Sequence, residues 1–298
     1  MSAEAAASIE IMEITPRVSE FKRFRRVFLS RVVVKFGLVI ILAVIVAAIF
    51  APFLTPYNPY KPDLSQTLSS PSRSHLLGTD ALGRDTFSRI IYGARTSLIV
   101  GLIVVSLAAT IGMGLGLIAG YFGGWIQTVV MRFIDTLMSF PMILLALVVS
   151  AMLGGGMKNV IIALTVGLTP VYARLMCGQV LTVKENDYIL AGRVIGASDL
   201  RMMLRHLVPN CLPSLIVLIT MMLGTTILAE AGLSFLGVGI EPPTAAWGSM
   251  VNDGREYLLT YPILSFAPGL AIMLTVFAFN MVGDGLRDAL DPRLRGAL

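Results

Sequence analysis

Long runs of apolar residues alternate with short polar connections along most of this chain of 298 residues. A helix that crosses a bilayer needs about 20 mostly apolar residues, and six runs approach or exceed that length. These runs cover residues 36–54, 96–121, 127–153, 159–177, 207–229 and 257–283. They are continuous rather than alternating, which favours helices over a β-barrel. The pattern therefore predicts an all-α membrane protein with six transmembrane helices.

The composition supports this prediction. Hydrophobic residues make up 56% of the chain and charged residues only 14%, whereas soluble domains carry about 25% charged residues. The two cysteines, Cys177 and Cys211, lie near the ends of predicted helices and lack the spacing of metal ligands. We interpret them as small packing residues, and we expect neither a cofactor nor a metal.

The basic residues are unequally divided between the two faces that six helices create. With a cytoplasmic N-terminus, 16 lie inside and seven outside, which together make the 23 Lys and Arg residues. Cytoplasmic loops carry the excess of Lys and Arg, so both termini are predicted to be cytoplasmic. The basic tail is interpreted as a topology determinant, and no nucleic acid partner is expected.

The chain divides into three parts. Residues 1–35 form the basic tail, residues 36–95 the first transmembrane helix and an external loop, and residues 96–298 the working core. The external loop is rich in proline and too polar to lie in the bilayer. Near its end, residues 78–83 predict a turn and residues 85–95 predict a short amphipathic helix that leads into the membrane.

The second predicted helix carries Gly112, Gly116 and Gly120 at intervals of four residues. This spacing places the three glycines on one helical face, where they permit another helix to approach closely. The pattern predicts a tightly packed helix pair.

The segment 187–210 is polar and basic, and it separates two apolar runs. Its composition is helical on both sides of Gly196, and Pro209 begins the next apolar run. The segment therefore predicts a helix, a tight turn and a second helix against the cytoplasmic face, in a shape that a partner protein can grip.

This segment resembles the EAA loop of ABC-importer permeases. When the two are aligned on Gly196 and Pro209, Ala191 and Gly192 take the two alanine positions, and Leu190 stands where the family has glutamate. We call residues 184–210 the coupling loop.

The departures from the EAA pattern resemble the dipeptide, oligopeptide and nickel branch of the family, in which a His-x-x-Pro-Asn ending is usual. Here that ending is His206, Pro209 and Asn210. Three further segments, 78–98, 233–248 and 279–294, resemble the same branch in the same order. The resemblance implies a type I ABC importer permease core of five helices, with one additional N-terminal helix of the DppC/OppC type.

The resemblance also implies a set of partners. These are a homologous second permease, cytoplasmic P-loop ATPase subunits, an extracytoplasmic substrate-binding protein and the lipid of a bacterial-type inner membrane. The chain has no G-x-x-x-x-G-K-[ST] motif, so ATP hydrolysis is expected in a separate subunit and the chain itself is not expected to be an enzyme. The residues implied in ATPase coupling are Ala191, Gly192, Arg193, Gly196, Ala197, Ser198, Asp199, Arg201, His206 and Pro209.

Charged residues at membrane depth are costly and indicate function. Glu230 follows 23 uncharged residues and has two interpretations, a structural pair with an arginine or a position on the translocation path. Asp135 is expected to pair with Arg132. Candidate contacts with the receptor or a partner are Asp80, Arg84, Asp85 and Trp247, whereas His75 is interpreted as loop surface.

We therefore predict the transmembrane permease subunit of an ATP-driven, binding-protein-dependent importer, with di- or oligopeptides as cargo. Import of nickel or another small solute is the alternative within this class, because the external receptor largely selects the cargo. An ion-coupled secondary transporter is the alternative from another class, and it requires paired charges near the membrane midplane and usually repeat symmetry. A membrane scaffold without transport is a third possibility.

Overall fold

The computed structural model describes residues 20–290, and all secondary-structure elements longer than an isolated bridge in this range are helices. The predictions for residues 1–19 of the basic tail and for the end of the last family segment, residues 291–294, lie outside the described residues. The helices are α1 Glu20–Ser30, α2 Val32–Ile49, α3 Ala51–Leu54, α4 Thr86–Phe122, α5 Gly124–Met138, α6 Met142–Leu153, α7 Met157–Val183, α8 Asp187–Val194, α9 Asp199–Arg201, α10 Val208–Phe235, α11 Trp247–Gly254 and α12 Ile263–Leu290.

Five stretches of the described chain are long and apolar enough to span a membrane without interruption: α2, α4, α7, α12 and the continuous helix Asp199–Phe235 that contains α10. The predicted third helix is instead a bent pair, α5 and α6, whose axes meet at 86°. The break falls just before Pro141, where the proline ring disfavours helical backbone at the preceding residue. The prediction of six spans is confirmed if the bent pair counts as one.

Helix α4 is longer than the sequence indicates. The expected short amphipathic helix over residues 85–95 is not a separate element, because α4 runs without a break from Thr86 to Phe122. Asp85 caps this helix, and its Oδ2 accepts a hydrogen bond from the Ser88 N–H at 2.7 Å.

The glycine stripe on α4 packs against α7, which confirms the predicted close pair. Gly112 faces Thr169 and Tyr172, and Gly120 faces Val180. A Cβ placed on Gly120 would lie 2.8 Å from the Cβ of Val180, which is too short for two real side chains. Only glycine permits the two helices to come this close.

The predicted basic tail is partly structured, because α1 forms a helix where residues 1–35 were expected to be a tail. Both α1 and α2 pack against α12. Arg31 pairs with Asp288 at 2.8 Å, and the side chains of Phe28 and Val34 surround Gly285. The N-terminal helices are therefore fastened to the last helix of the core.

The polar residues 55–85, which we call the cap, fold over the Thr86 end of α4. The cap contains one 3-10 turn, Leu64–Gln66, and an isolated antiparallel bridge between Thr79 and Asp85. Helix α11 packs beside it, between α10 and α12. The coupling loop lies at the other end of α4, near Phe122, so a single helix joins the two regions.

Candidate functional site

The coupling loop has the helix, turn and helix that the sequence predicts. Helix α8 ends at Val194, a turn follows, and α9 begins at Asp199. Gly196 lies in the turn with φ +79°, a left-handed conformation that costs glycine little and other residues more. A π-helical stretch, Met202–Leu207, then leads directly into α10.

The underside of the coupling loop is packed against the protein. Ile189 and Met202 are fully buried. Gly192 lies over the Met202 thioether, and a Cβ there would be 3.0 Å from the sulfur atom. The loop is thus held in one position from below by apolar contacts.

The opposite face of the loop is apolar and open. Val194 is 86% exposed and Ile195 is 83% exposed. Tyr188, Leu190 and Leu200 are exposed on the same segment. A cluster of exposed apolar side chains beside charged residues is typical of a protein–protein contact.

The other residues of the predicted coupling set differ in their exposure. Gly192, Ala197 and His206 are half-buried. The exposed members of the predicted set are Ala191, Arg193, Gly196, Ser198, Asp199, Arg201 and Pro209. The structure therefore brings the predicted residues together on one compact segment.

The loop is also bonded to the end of α4, through residues that the sequence reasoning missed. The Tyr121 hydroxyl donates a hydrogen bond to Asp199 at 2.5 Å, and the Arg193 guanidinium lies 5.3 Å from the centre of the Tyr121 ring. The Lys184 ammonium donates to the Gly120 carbonyl at 3.2 Å. The signal that could have indicated this contact is Tyr121 itself, a polar aromatic residue directly after the glycine stripe.

Glu230 lies deep inside the bundle. It is fully buried, and its two carboxyl oxygens accept hydrogen bonds from Ser97 at 3.2 Å and from Ser234 at 2.8 Å. The Ser234 hydroxyl in turn accepts from the Ile240 N–H at 3.1 Å. Within residues 20–290 no basic side chain pairs with Glu230, and serine hydroxyls stand where the arginine was expected. Since no part of the residue is exposed, it lines no open path in this conformation.

Charged side chains of the cap are turned inward. Asp80 accepts a hydrogen bond from the Arg84 Nε at 2.7 Å and lies 3.5 Å from the Arg89 Nε. His75 Nδ1 lies 2.9 Å from the Asp85 carboxylate, and the Tyr57 ring stacks on His75 with the ring centres 4.5 Å apart. His75 is buried rather than loop surface, which corrects that prediction.

The predicted receptor contacts need a similar correction. Arg84, Asp85 and Trp247 are buried within the chain, and the Trp247 Nε1–H donates to the Ile90 carbonyl at 2.9 Å. Side chains enclosed by their own chain cannot touch a receptor. The Asp80 side chain remains 17% exposed, and it too serves internal pairs.

One further ion pair differs from the prediction. Asp135 on α5 pairs with Arg174 on α7, not with Arg132 on its own helix. Among residues 20–290, no group of three or more His, Cys, Asp or Glu side chains could hold a metal ion. The described residues therefore form an exposed apolar face on the coupling loop, a long helix that leads away from it, and a cap with buried charges at the far end.

The described chain is a helical membrane bundle with a helix–turn–helix segment at one end of α4. Residues 112–296 match the family described as the binding-protein-dependent transport system inner membrane component. Residues 19–71 match the N-terminal transmembrane domain of oligopeptide transport permease C. The chain belongs to this family of inner membrane permeases, which confirms the predicted family and excludes the secondary transporter.

Similar proteins agree with this assignment. The glutathione transport system permease protein GsiD of Escherichia coli O6:K15:H31 is 45% identical over 283 residues, which cover 95% of this chain and 92% of that protein. GsiD of Shigella boydii serotype 4 matches to the same extent. A solved inward-facing structure of the MetNI methionine ABC transporter is 20% identical, with a TM-score of 0.56 over 68% of this chain and 96% of that one. This likeness confirms the type I permease fold.

Proposed function

We propose that this chain is a transmembrane permease subunit of an ATP-driven importer of short peptides, with glutathione as the first cargo to test. The proposal for cargo is supported by the 45% identity to proteins named as glutathione transport permeases. The N-terminal match to oligopeptide permease C points to the same chemical class. Cargo would arrive on an extracytoplasmic binding protein and cross between this chain and a homologous second permease.

The exposed apolar face of the coupling loop is the main observation that supports a contact with the ATPase. Val194 and Ile195 project from a turn whose underside is fixed by buried residues. An apolar surface exposed to water is stabilised when a partner covers it. A groove on a cytoplasmic P-loop ATPase would cover these side chains, while Arg193 and Arg201 pair with acidic groups at its rim.

The position of the loop explains how ATP could drive transport. Helix α7 enters the loop and α10 leaves it, so displacement of the loop reaches two membrane helices directly. When the ATPases close on ATP, the loop would carry this movement into the bundle and open the path to the outside. The excess of basic residues on this side supports a cytoplasmic position for the loop and both termini.

Co-purification with matched variants tests this proposal. The tagged chain is extracted gently from its native membrane, and the proteins that accompany it are identified by mass spectrometry. We expect a P-loop ATPase and a second permease with the wild type. Ile195→Asp should lose the ATPase and keep the permease, because a charge at an exposed position spoils the docking face without disturbing the fold.

Leu259→Asp is the control for this experiment. Leu259, like Ile195, is a highly exposed aliphatic residue, but it lies between α11 and α12, on the side of the cap. This variant should retain the ATPase. Retention of the ATPase by Ile195→Asp would contradict the docking face. In an uptake assay with labelled peptides, transport of other peptides but not of glutathione would show that glutathione is not the cargo.

A further inference from the structure

Helix α4 is long enough to reach beyond both faces of a membrane. Its 37 residues extend about 55 Å at 1.5 Å per residue, whereas the hydrocarbon core is about 30 Å thick. At one end it meets the coupling loop and at the other it meets the cap. It can therefore connect the two regions mechanically.

The inner end of α4 is attached to the coupling loop by a specific contact. Tyr121 is buried, and its hydroxyl bonds the Asp199 carboxylate, 78 residues further along the chain. A hydrogen bond to an ionised carboxylate is about twice as strong as a neutral one. Arg193 covers the Tyr121 ring, so residues from both helices of the loop grip one side chain of α4.

The outer end of α4 is rooted in the cap. Asp85 caps the helix and also contacts His75. One helical turn further on, Arg89 pairs with Asp80 and donates to the Pro59 carbonyl at 3.2 Å. The first turns of α4 and the cap are thus joined through buried polar groups.

Between these ends α4 is one unbroken helix, and most of its glycines are packed against neighbours: the glycine stripe against α7, Gly93 against Trp247 and Gly101 against Ile227. Sharp kinks in helices occur mostly at proline, and none lies between Thr86 and Phe122. Helices α7, α10 and α12 each contain an internal proline, at Pro170, Pro213 and Pro268. Among α4, α7 and α10, the helices that meet the loop, α4 is thus the one without an internal proline.

We propose that α4 moves as a rigid rod and transmits movement of the coupling loop to the cap. Tyr121 is the positioning residue that connects this rod to the loop. The inference rests on the proposed function, since it requires an ATPase to engage the loop. When the loop moves, Asp199 draws the Tyr121 end of α4 with it. The cap then moves with the outer end of α4.

Cysteine labelling of the cap measures this transmission. Leu82 is an exposed cap residue, and the native cysteines, Cys177 and Cys211, are buried. The complete importer carrying Leu82→Cys is treated with a fluorescent maleimide, both nucleotide-free and trapped with ATP and vanadate. Trapping should change the labelling rate by about 5- to 150-fold, the range to which typical coupling free energies between distant sites correspond.

Variants of the Tyr121–Asp199 contact identify its role. Tyr121→Phe removes only the hydroxyl, and it should abolish the nucleotide dependence of labelling while vanadate still traps nucleotide. Asp199→Ala should also abolish the nucleotide dependence of labelling, and the double variant should be no worse than either single variant, as expected for two ends of one interaction. Tyr172→Phe is the control, because within residues 20–290 the buried Tyr172 hydroxyl has no hydrogen-bond partner.

The outcomes separate this inference from the proposed function. If no ATPase accompanies the wild-type chain, the proposed function fails and the rod fails with it. If nucleotide is trapped but labelling of the wild-type cap does not respond, the rod alone is wrong. An undiminished response in Tyr121→Phe would show that Tyr121 is not the connection.

Discussion

The coupling loop and the cap lie at opposite ends of α4 and place their side chains in opposite ways. The loop exposes apolar residues, with Val194 and Ile195 almost entirely open to solvent. The cap buries charged residues, among them Arg84 and Asp85. Each region reverses the usual rule that apolar groups lie inside and charges outside.

The difference indicates which region is complete by itself. Buried charges are stable only when they are paired and hydrogen-bonded, and the cap supplies those partners from its own residues and the first turns of α4. The loop has no such internal cover for Val194 and Ile195. The cap is therefore complete within the chain, whereas the exposed apolar face of the loop is the surface that we propose a partner covers.

Removal of a charge from the cap should have the largest effect on stability. Asp80→Ala leaves Arg84 and Arg89 buried without their shared carboxylate, and breaking a buried pair in this way costs about 3–5 kcal/mol. We expect a marked fall in the melting temperature of the purified chain in detergent. Asp63→Ala, at an exposed aspartate of the same cap whose side chain, among the described residues, bonds only the nearby Ser65, should lower the melting temperature much less. Equal melting of Asp80→Ala and Asp63→Ala would mean that the cap does not depend on its buried charges.

The two histidines of the chain provide a second test, with one in each region. His75→Ala removes contacts to Asp85 and Gln66 inside the cap, and loss of a buried hydrogen-bonding partner costs about 1–3 kcal/mol. Within residues 20–290 the His206 ring forms no hydrogen bond, so His206→Ala should leave thermal stability nearly unchanged. Thermal unfolding measures both variants. A larger loss of stability for His206→Ala than for His75→Ala would show that the loop, and not the cap, depends on its histidine for stability.

Much of the loop could be predicted from the sequence, because its signals are local. The polar segment between apolar runs, the turn at Gly196 and the glycine stripe on α4 all depend on residues a few positions apart. Local composition also gave six apolar runs. The bend between α5 and α6 was missed because the apolar run continues through Pro141, and proline in a membrane helix is compatible with either a bend or a straight passage.

The cap could not be predicted in the same way, because its contacts join residues that are distant in the sequence or unremarkable within it. His75 meets Gln66, nine residues away, and the Pro59 carbonyl meets Arg89, 30 residues away. A polar, proline-rich segment resembles any exposed loop, and nothing in its composition distinguishes a charge that faces inward. The Tyr121–Asp199 contact was missed for the same reason.

A truncation of the apolar face should weaken association and leave folding intact. Combined Val194→Ala and Ile195→Ala changes remove side chains that touch solvent in the free chain. We expect the affinity for the purified ATPase to fall about tenfold, or 1.4 kcal/mol, with no change in melting temperature. Titration of the ATPase onto chain embedded in nanodiscs measures the affinity. A lower melting temperature with unchanged affinity would assign these residues to the fold.

The smallest effect should come from Asp253, a cap-side carboxylate on α11 that is not fully enclosed. Desolvation raises its pKa above the ordinary 3.8, although Arg89 and Arg84 act in the opposite direction. A raised pKa in the folded state means that the folded chain holds the proton more firmly than the unfolded chain. This contribution is therefore lost as the pH rises from 3.8 through the folded pKa. Asp253→Asn should match the wild type in melting temperature at low pH and slightly exceed it at neutral pH. If the variant is instead less stable at neutral pH, attraction to the arginines outweighs desolvation, and Asp253 belongs with the paired charges that hold the cap together.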